Sequence, residues 1–131
     1  MILVDTSAWV EFLRDTGSPA CEEVDRLLAR DLAICDPIQM EVLAGARDDV
    51  HQRDLRGLLG RAATLPTEAI DYETAAAFYR TCRRSGETVR KLIDCLIGAV
   101  ASRHGVPILH ADGDIEVLSR HTAVEVHQPE A

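Results

Sequence analysis

Short apolar runs recur along this chain between longer stretches with helical spacing, and this alternation limits the possible folds more than any other feature. Ile2-Leu3-Val4, Leu32-Ala33-Ile34-Cys35, Ala63-Thr64-Leu65, Val106-Pro107-Ile108-Leu109-His110 and Thr122–Val126 read as strands. Between them the chain carries helix signals. Asp5, Thr6 or Ser7 can cap a helix over Ser7–Arg14, Ser18-Pro19 opens one to about Arg30, and Asp36-Pro37 opens Ile38–Ala46. Asp48–Arg61 is a polar helix. Asp71 can cap a helix whose apolar face is Tyr72, Ala75, Ala76, Tyr79 and Cys82, ended by Ser85-Gly86. Thr88 can cap Val89–His104, which is apolar nearly all round and so belongs at the centre. Gly105 ends it, and Ile115–Arg120 is a last short helix. Strands separated by helices predict an α/β fold, a three-layer α/β/α sandwich around a mainly parallel sheet.

A chain of 131 residues without repeat, linker or low-complexity tract fits a single domain over 1–131. Aromatic residues make up only 4%, so Ala, Leu, Val and Ile must build the core, with Trp9 as its default aromatic or, alternatively, a partner contact. No apolar run approaches the roughly 18 residues that cross a bilayer, and Asp5 interrupts the first run too soon for a signal peptide. These features predict a cytoplasmic protein with no membrane partner. Cys21, Cys35, Cys82 and Cys95 lack zinc-finger spacing and read as reduced core thiols. The net charge of −8 argues against a nucleic-acid partner unless acids are gathered around a cation. Tyr79–Lys91 is locally basic, with Arg80, Arg83, Arg84, Arg90 and Lys91 against Glu87. It can be a solvated helix end or a strip that contacts a phosphate backbone.

Most of the 22 acids suit a solvated surface, but a few sit where acids are rarely found. Asp5 directly follows Ile2-Leu3-Val4, Glu41 lies inside Pro37–Ala44, and Asp94 interrupts Leu92-Ile93-Asp94-Cys95-Leu96-Ile97. Buried carboxylates need a cap role, a basic partner or a metal. Asp5 alone can be a helix cap, Glu41 can face solvent, and Asp112 and Asp114 can be turn acids. On a helix, Arg90 and Lys91 point away from Asp94, which leaves it hardest to explain structurally. In a parallel sheet all five can converge beyond the carboxyl ends of the strands. Two carboxylates about 5 Å apart repel by roughly 3 kcal/mol at an effective dielectric of about 20, so such a group calls for a cation. Oxygen-only ligands favour Mg2+, with Mn2+ as a substitute, over zinc. Such a site suits phosphodiester hydrolysis.

With these residues in hand, the chain resembles the PIN-domain ribonucleases, and among them the VapC toxins of toxin–antitoxin pairs. The matching segments are Ile2–Trp9, Pro37–Gly45, Gly86–Val89, Asp94–Ala99 and Ile108–Ile115, in family order and across nearly the whole chain. The resemblance implies a magnesium site made by Asp5, Glu41, Asp94 and Asp112, with Asp114 as an additional acid and Ser7 as a supporting hydroxyl. Ile115 stands where the family often has Phe, a change that bears on packing rather than chemistry. A homodimer and a cognate VapB-type antitoxin that blocks the site with a basic side chain are also implied.

The mechanism expected is attack on an RNA phosphate by a metal-activated water, with Asp5, Asp94 and Asp112 on the metal and Glu41 orienting the water or a second ion. His110 reads as strand-end packing. The substrate can be transfer, ribosomal or messenger RNA, most readably a structured RNA presenting a single-stranded loop, with Arg83, Arg84 and Arg90 as contacts. An aspartyl phosphatase would need a second Asp where Ser7 stands, and a phospho-receiver would need a late Lys beside a strand end, whereas the only Lys is Lys91. The remaining alternative is a catalytically silent PIN fold that binds RNA or protein.

Overall fold

A computed structural model describes residues 1–129. Four short strands, β1 (Ile2–Val4), β2 (Leu32–Cys35), β3 (Ala63–Leu65) and β4 (Ile108–Leu109), form one sheet in the order β3-β2-β1-β4, with every pairing parallel. Seven helices connect them: α1 (Thr6–Leu13), α2 (Pro19–Leu28), α3 (Asp36–Ala44), α4 (Asp49–Leu59), α5 (Ala69–Arg84), α6 (Leu92–His104) and α7 (Gly113–His121). The β1→β2→β3 crossovers step in one direction and the β3→β4 crossover returns. Right-handed connections therefore put α1–α4 on one face and α5–α6 on the other, giving the expected α/β/α sandwich. The direction of strand order reverses between β1 and β4, so their carboxyl ends open a crevice at a topological switch point.

Local chemistry explains most element boundaries. Asp5 is the N-cap of α1 and accepts from the Ser7 N–H, Ser18 caps α2 through the Cys21 N–H, and Asp48 caps α4 through the His51 N–H. Gly105 ends α6 at φ +66°, where a side chain would be strained. The core joins Leu3, Val4, Ile34, Ile97, Ile108 and Leu118 across the layers, and Trp9 is fully buried with its ring edge-on to Phe12. The four cysteines are buried and free, and burial pushes the Cys35 and Cys95 thiols up to about 12. Among the described residues no helix is long and apolar enough to cross a membrane.

Five sequence expectations are corrected. Asp36 is the first residue of α3 and not its cap, because β2 runs into the helix at Cys35. Asp71 sits at the third position of α5 in a capping box with Glu68, buried against Arg103. The buried face of α5 is Asp71, Ala75 and Cys82, while Tyr72 is 61% exposed. The last strand, Thr122–Val126, is reduced to a single parallel bridge between Ile108 and Val126. Finally, α6 begins at Leu92 and not at Val89. The segment before it is strapped along α7: Glu87 accepts from Arg120 and His121 at one end, and Asp114 accepts from the Lys91 N–H at the other. Those contacts, with Val89 buried beneath, outweigh the local helix signal of Thr88.

Candidate metal centre

The switch-point crevice collects acids from four separate segments. Asp5 leaves β1, Glu41 lies on α3, Asp94 is in the first turn of α6, and Asp112 caps α7 just beyond β4. One oxygen from each of Asp94, Asp112 and Asp114 falls within a 4.8 Å group. Asp5, Glu41 and Asp94 line one pocket of about 360 Å³ together with Thr6, Ser7 and Lys91. The expected residues are thus brought to one place, Asp114 at its α7 side.

Each carboxylate is held differently. Ser7 donates both its N–H (3.1 Å) and its hydroxyl (2.6 Å) to Asp5 Oδ2, and its Oγ accepts from the Ala111 N–H at 2.9 Å. That one hydroxyl therefore ties the exit of β1 to the exit of β4. Thr6 Oγ1 donates to Glu41 Oε1 at 2.7 Å. Asp112 Oδ1 accepts from the Asp114 N–H at 2.9 Å, and its own N–H donates to His110 Nδ1 at 3.0 Å. His110 Nε2 meets Glu116 Oε1 at 3.0 Å, so this histidine steadies the loop rather than merely packing the strand end. In contrast, Asp5 Oδ1 and Asp94 Oδ2 are buried and accept no hydrogen bond.

Electrostatics follow from that inventory. Burial, with the charges of Asp112 and Glu41 added, raises the Asp5 carboxyl above its usual range. Burial and the charge of Asp5 push Asp94 up to about 8. Burial also acts on Asp112, but the Asp114 N–H and the Lys91 ammonium hold it below the ordinary value. Lys91 Nζ stands 2.9 Å from Asp112 Oδ2 and 3.7 Å from Asp94 Oδ2. Arg90 Nε lies 3.2 Å from Asp114 Oδ1, and its terminal nitrogen 3.4 Å from Asp112 Oδ1. Two cations thus face five carboxylates, a deficit that a divalent ion would relieve. The all-oxygen donor set and the two orphaned buried oxygens fit a hard cation of the magnesium class.

Sequence reasoning missed Lys91, Arg90, Thr6 and His110 as parts of this site. Lys91 carried one signal, being the only lysine of the chain. Arg83 and Arg84 stand exposed at the end of α5, Arg83 over the Tyr79 ring at 5.6 Å. Arg90 faces the acids instead, so the basic strip divides in two.

Residues 2–121 match the PIN domain. A VapC ribonuclease of Mycobacterium bovis and ribonuclease VapC11 of Mycobacterium tuberculosis are each 50% identical to this chain over 129 residues, covering 95% of it and 96% of the relative. The fold superposes with TM-score 0.77 on the structure of VapBC2 from Rickettsia felis bound to a promoter DNA fragment, at 15% identity, covering 97% of this chain and 98% of that one. The chain therefore belongs to the PIN-domain family, alongside the VapC ribonucleases.

Proposed function

We propose that this protein is a magnesium-dependent endoribonuclease, the toxic member of a toxin–antitoxin pair, that hydrolyses phosphodiester bonds in a structured RNA. The observation that carries this reading is the pair of buried oxygens that accept no hydrogen bond, Asp5 Oδ1 and Asp94 Oδ2, within a group of five acids. Asp5, Asp94 and Asp112 would hold the ion, with Asp114 beside them. Bound there, magnesium polarises a phosphate oxygen and supplies an activated water for hydrolysis. Glu41, held by Thr6, would orient the attacking water by accepting its hydrogen bond. Ser7 holds Asp5 by its Oδ2, which leaves Oδ1 free of hydrogen bonds for the ion. Manganese would substitute, since it takes the same oxygen ligands.

The surroundings of the site support a reading of its partners. A cleft of about 380 Å³ shares Val10 and Glu41 with the carboxylate pocket, has Leu13, Val42 and Leu55 in its walls, and carries Arg14 and Arg47. It would seat an apolar segment of a VapB-type antitoxin whose basic side chain enters among the acids. A second patch, built by Tyr72, Ala75, Ala76, Leu92, Ile93 and Leu96, contains no charge and would pair with another copy of the chain as a homodimer. Arg83 and Arg84 would contact the RNA backbone. Reversing both charges should weaken RNA binding and flatten its salt dependence, and unchanged binding would discard that role.

Cleavage of RNA by the purified protein in magnesium, in EDTA, and by folded Asp5→Asn and Asp94→Asn variants tests the central reading. Activity lost in all three controls is expected. Activity that persists in EDTA and in both variants would overturn it.

A further inference from the structure

Lys91 is fixed at its main chain and loose at its ammonium. Its main chain is fixed, because the N–H donates to Asp114 Oδ2 at 3.1 Å and its residue caps α6. Its side chain is not: it is 52% exposed, and the ammonium reaches across the pocket wall to Asp112 Oδ2 at 2.9 Å, with Asp94 Oδ2 at 3.7 Å. Asp94 Oδ2 is buried and accepts no hydrogen bond, and Asp112 belongs to the clustered carboxylates, so Lys91 lies on oxygens that a divalent ion also seeks. Arg90 remains available to hold Asp112 and Asp114 when Lys91 leaves. A compact, strongly hydrated ammonium on a flexible stem suits such an exchange, and a phosphate is the natural acceptor for it once the acids are occupied.

Resting on the nuclease reading above, we infer that Lys91 is a substrate-positioning residue whose ammonium is parked on Asp112 and Asp94, gives way to the incoming divalent ion, and then binds an RNA phosphate beside the pocket. The ion and Lys91 compete for the same carboxylates, and the ion's arrival turns an internal ion pair into a substrate contact. Metal uptake and substrate grip are thereby coupled through one side chain.

Lys91 being the only lysine makes this directly measurable. Brief amine acylation of the full chain, read by mass spectrometry with the α-amino group as internal reference, reports on Lys91 alone. Magnesium should raise the relative reactivity of Lys91 several-fold, and excess total transfer RNA added with magnesium should protect it again. Reactivity that magnesium leaves unchanged or lowers overturns the displacement, and reactivity that RNA fails to protect overturns the phosphate contact. Calorimetric magnesium titration of Lys91→Met, checked for an unchanged melting temperature, should give affinity about two- to fivefold tighter than wild type, the factor that a half-exposed ion pair represents. Lys91→Arg, which keeps the positive charge, should keep the wild-type Michaelis constant for RNA, and one raised as far as in Lys91→Met overturns the phosphate contact. Wild-type protein that takes up no magnesium overturns the metal reading itself and this inference with it. Wild type that binds magnesium while Lys91→Met binds no more tightly overturns this inference alone.

Discussion

At the scale of single residues, Asp94 carries the sharpest consequence. Its folded carboxyl titrates at about 8 against an ordinary 3.8, so between those values the folded state binds more protons than the unfolded chain. In the metal-free protein the contribution of Asp94 to stability is therefore full below about pH 4 and is lost as pH rises toward 8. Asp94→Asn should abolish cleavage yet raise the melting temperature of the metal-free protein at pH 8 by roughly 4 °C or more, measurable by calorimetry in EDTA. A variant that melts lower than wild type there would contradict the buried, uncompensated charge. The same group must shed its proton to receive a cation, so magnesium affinity should rise with pH up to about 8 and level off above it. Glu23 is the opposite case. Hydrogen bonds from Arg26 and then His127 outweigh its burial and hold it at about 2, so its contribution is present above pH 4.5 and lost as pH falls toward 2. Glu23→Gln should cost about 2–3 kcal/mol at neutral pH and flatten the acid limb of the stability curve.

At the scale of elements, the interface between α5 and α6 depends on one buried ion pair. Asp71 is 1% exposed, receives two hydrogen bonds from Arg103, and closes the capping box at the Glu68 N–H. Asp71→Ala removes two of the hydrogen bonds of Arg103, which keeps the Pro66 carbonyl and Glu68, and opens the helix start; it should cost about 1–3 kcal/mol in urea unfolding without changing the acids of the pocket. Strands and helix caps of this kind were legible from the sequence wherever the signal was local: Asp5 after β1, Ser18 before α2 and Gly105 after α6 all stand where the side-chain chemistry places them. The convergence of Asp5, Asp94 and Asp112 was legible too, because strand ends in parallel sheets share an edge. The true start of α6 was not. Thr88 and Val89 make a valid helix opening, and only contacts from α7, through Glu87 and Asp114, pull the segment out of helix. Lys91 meeting the acids was legible as well and was misread, because residues three apart, like Lys91 and Asp94, share one side of a helix.

At the scale of the whole molecule, the five gathered acids make the fold and its ion a linked system. The unfolded chain cannot hold them together, so an ion bound at a hundred times its dissociation constant should stabilise the protein by about 2.7 kcal/mol, and Asp5→Asn should remove that gain in thermal melts with and without magnesium. Two further surfaces, one apolar and uncharged on α5 and α6, the other a cleft lined by α1, α3 and α4, share no residue with each other. On the proposed assignment of these surfaces, self-association and antitoxin capture would therefore not exclude each other. The sole tryptophan gives all this an optical readout. Trp9 is sealed from water in α1, four positions beyond Asp5 and two beyond Ser7. Because no other indole contributes, the emission colour and lifetime of this protein are a local gauge of the helix that carries the acid pocket's serine. A shift on ion uptake would register strain at that one spot, free of any global average.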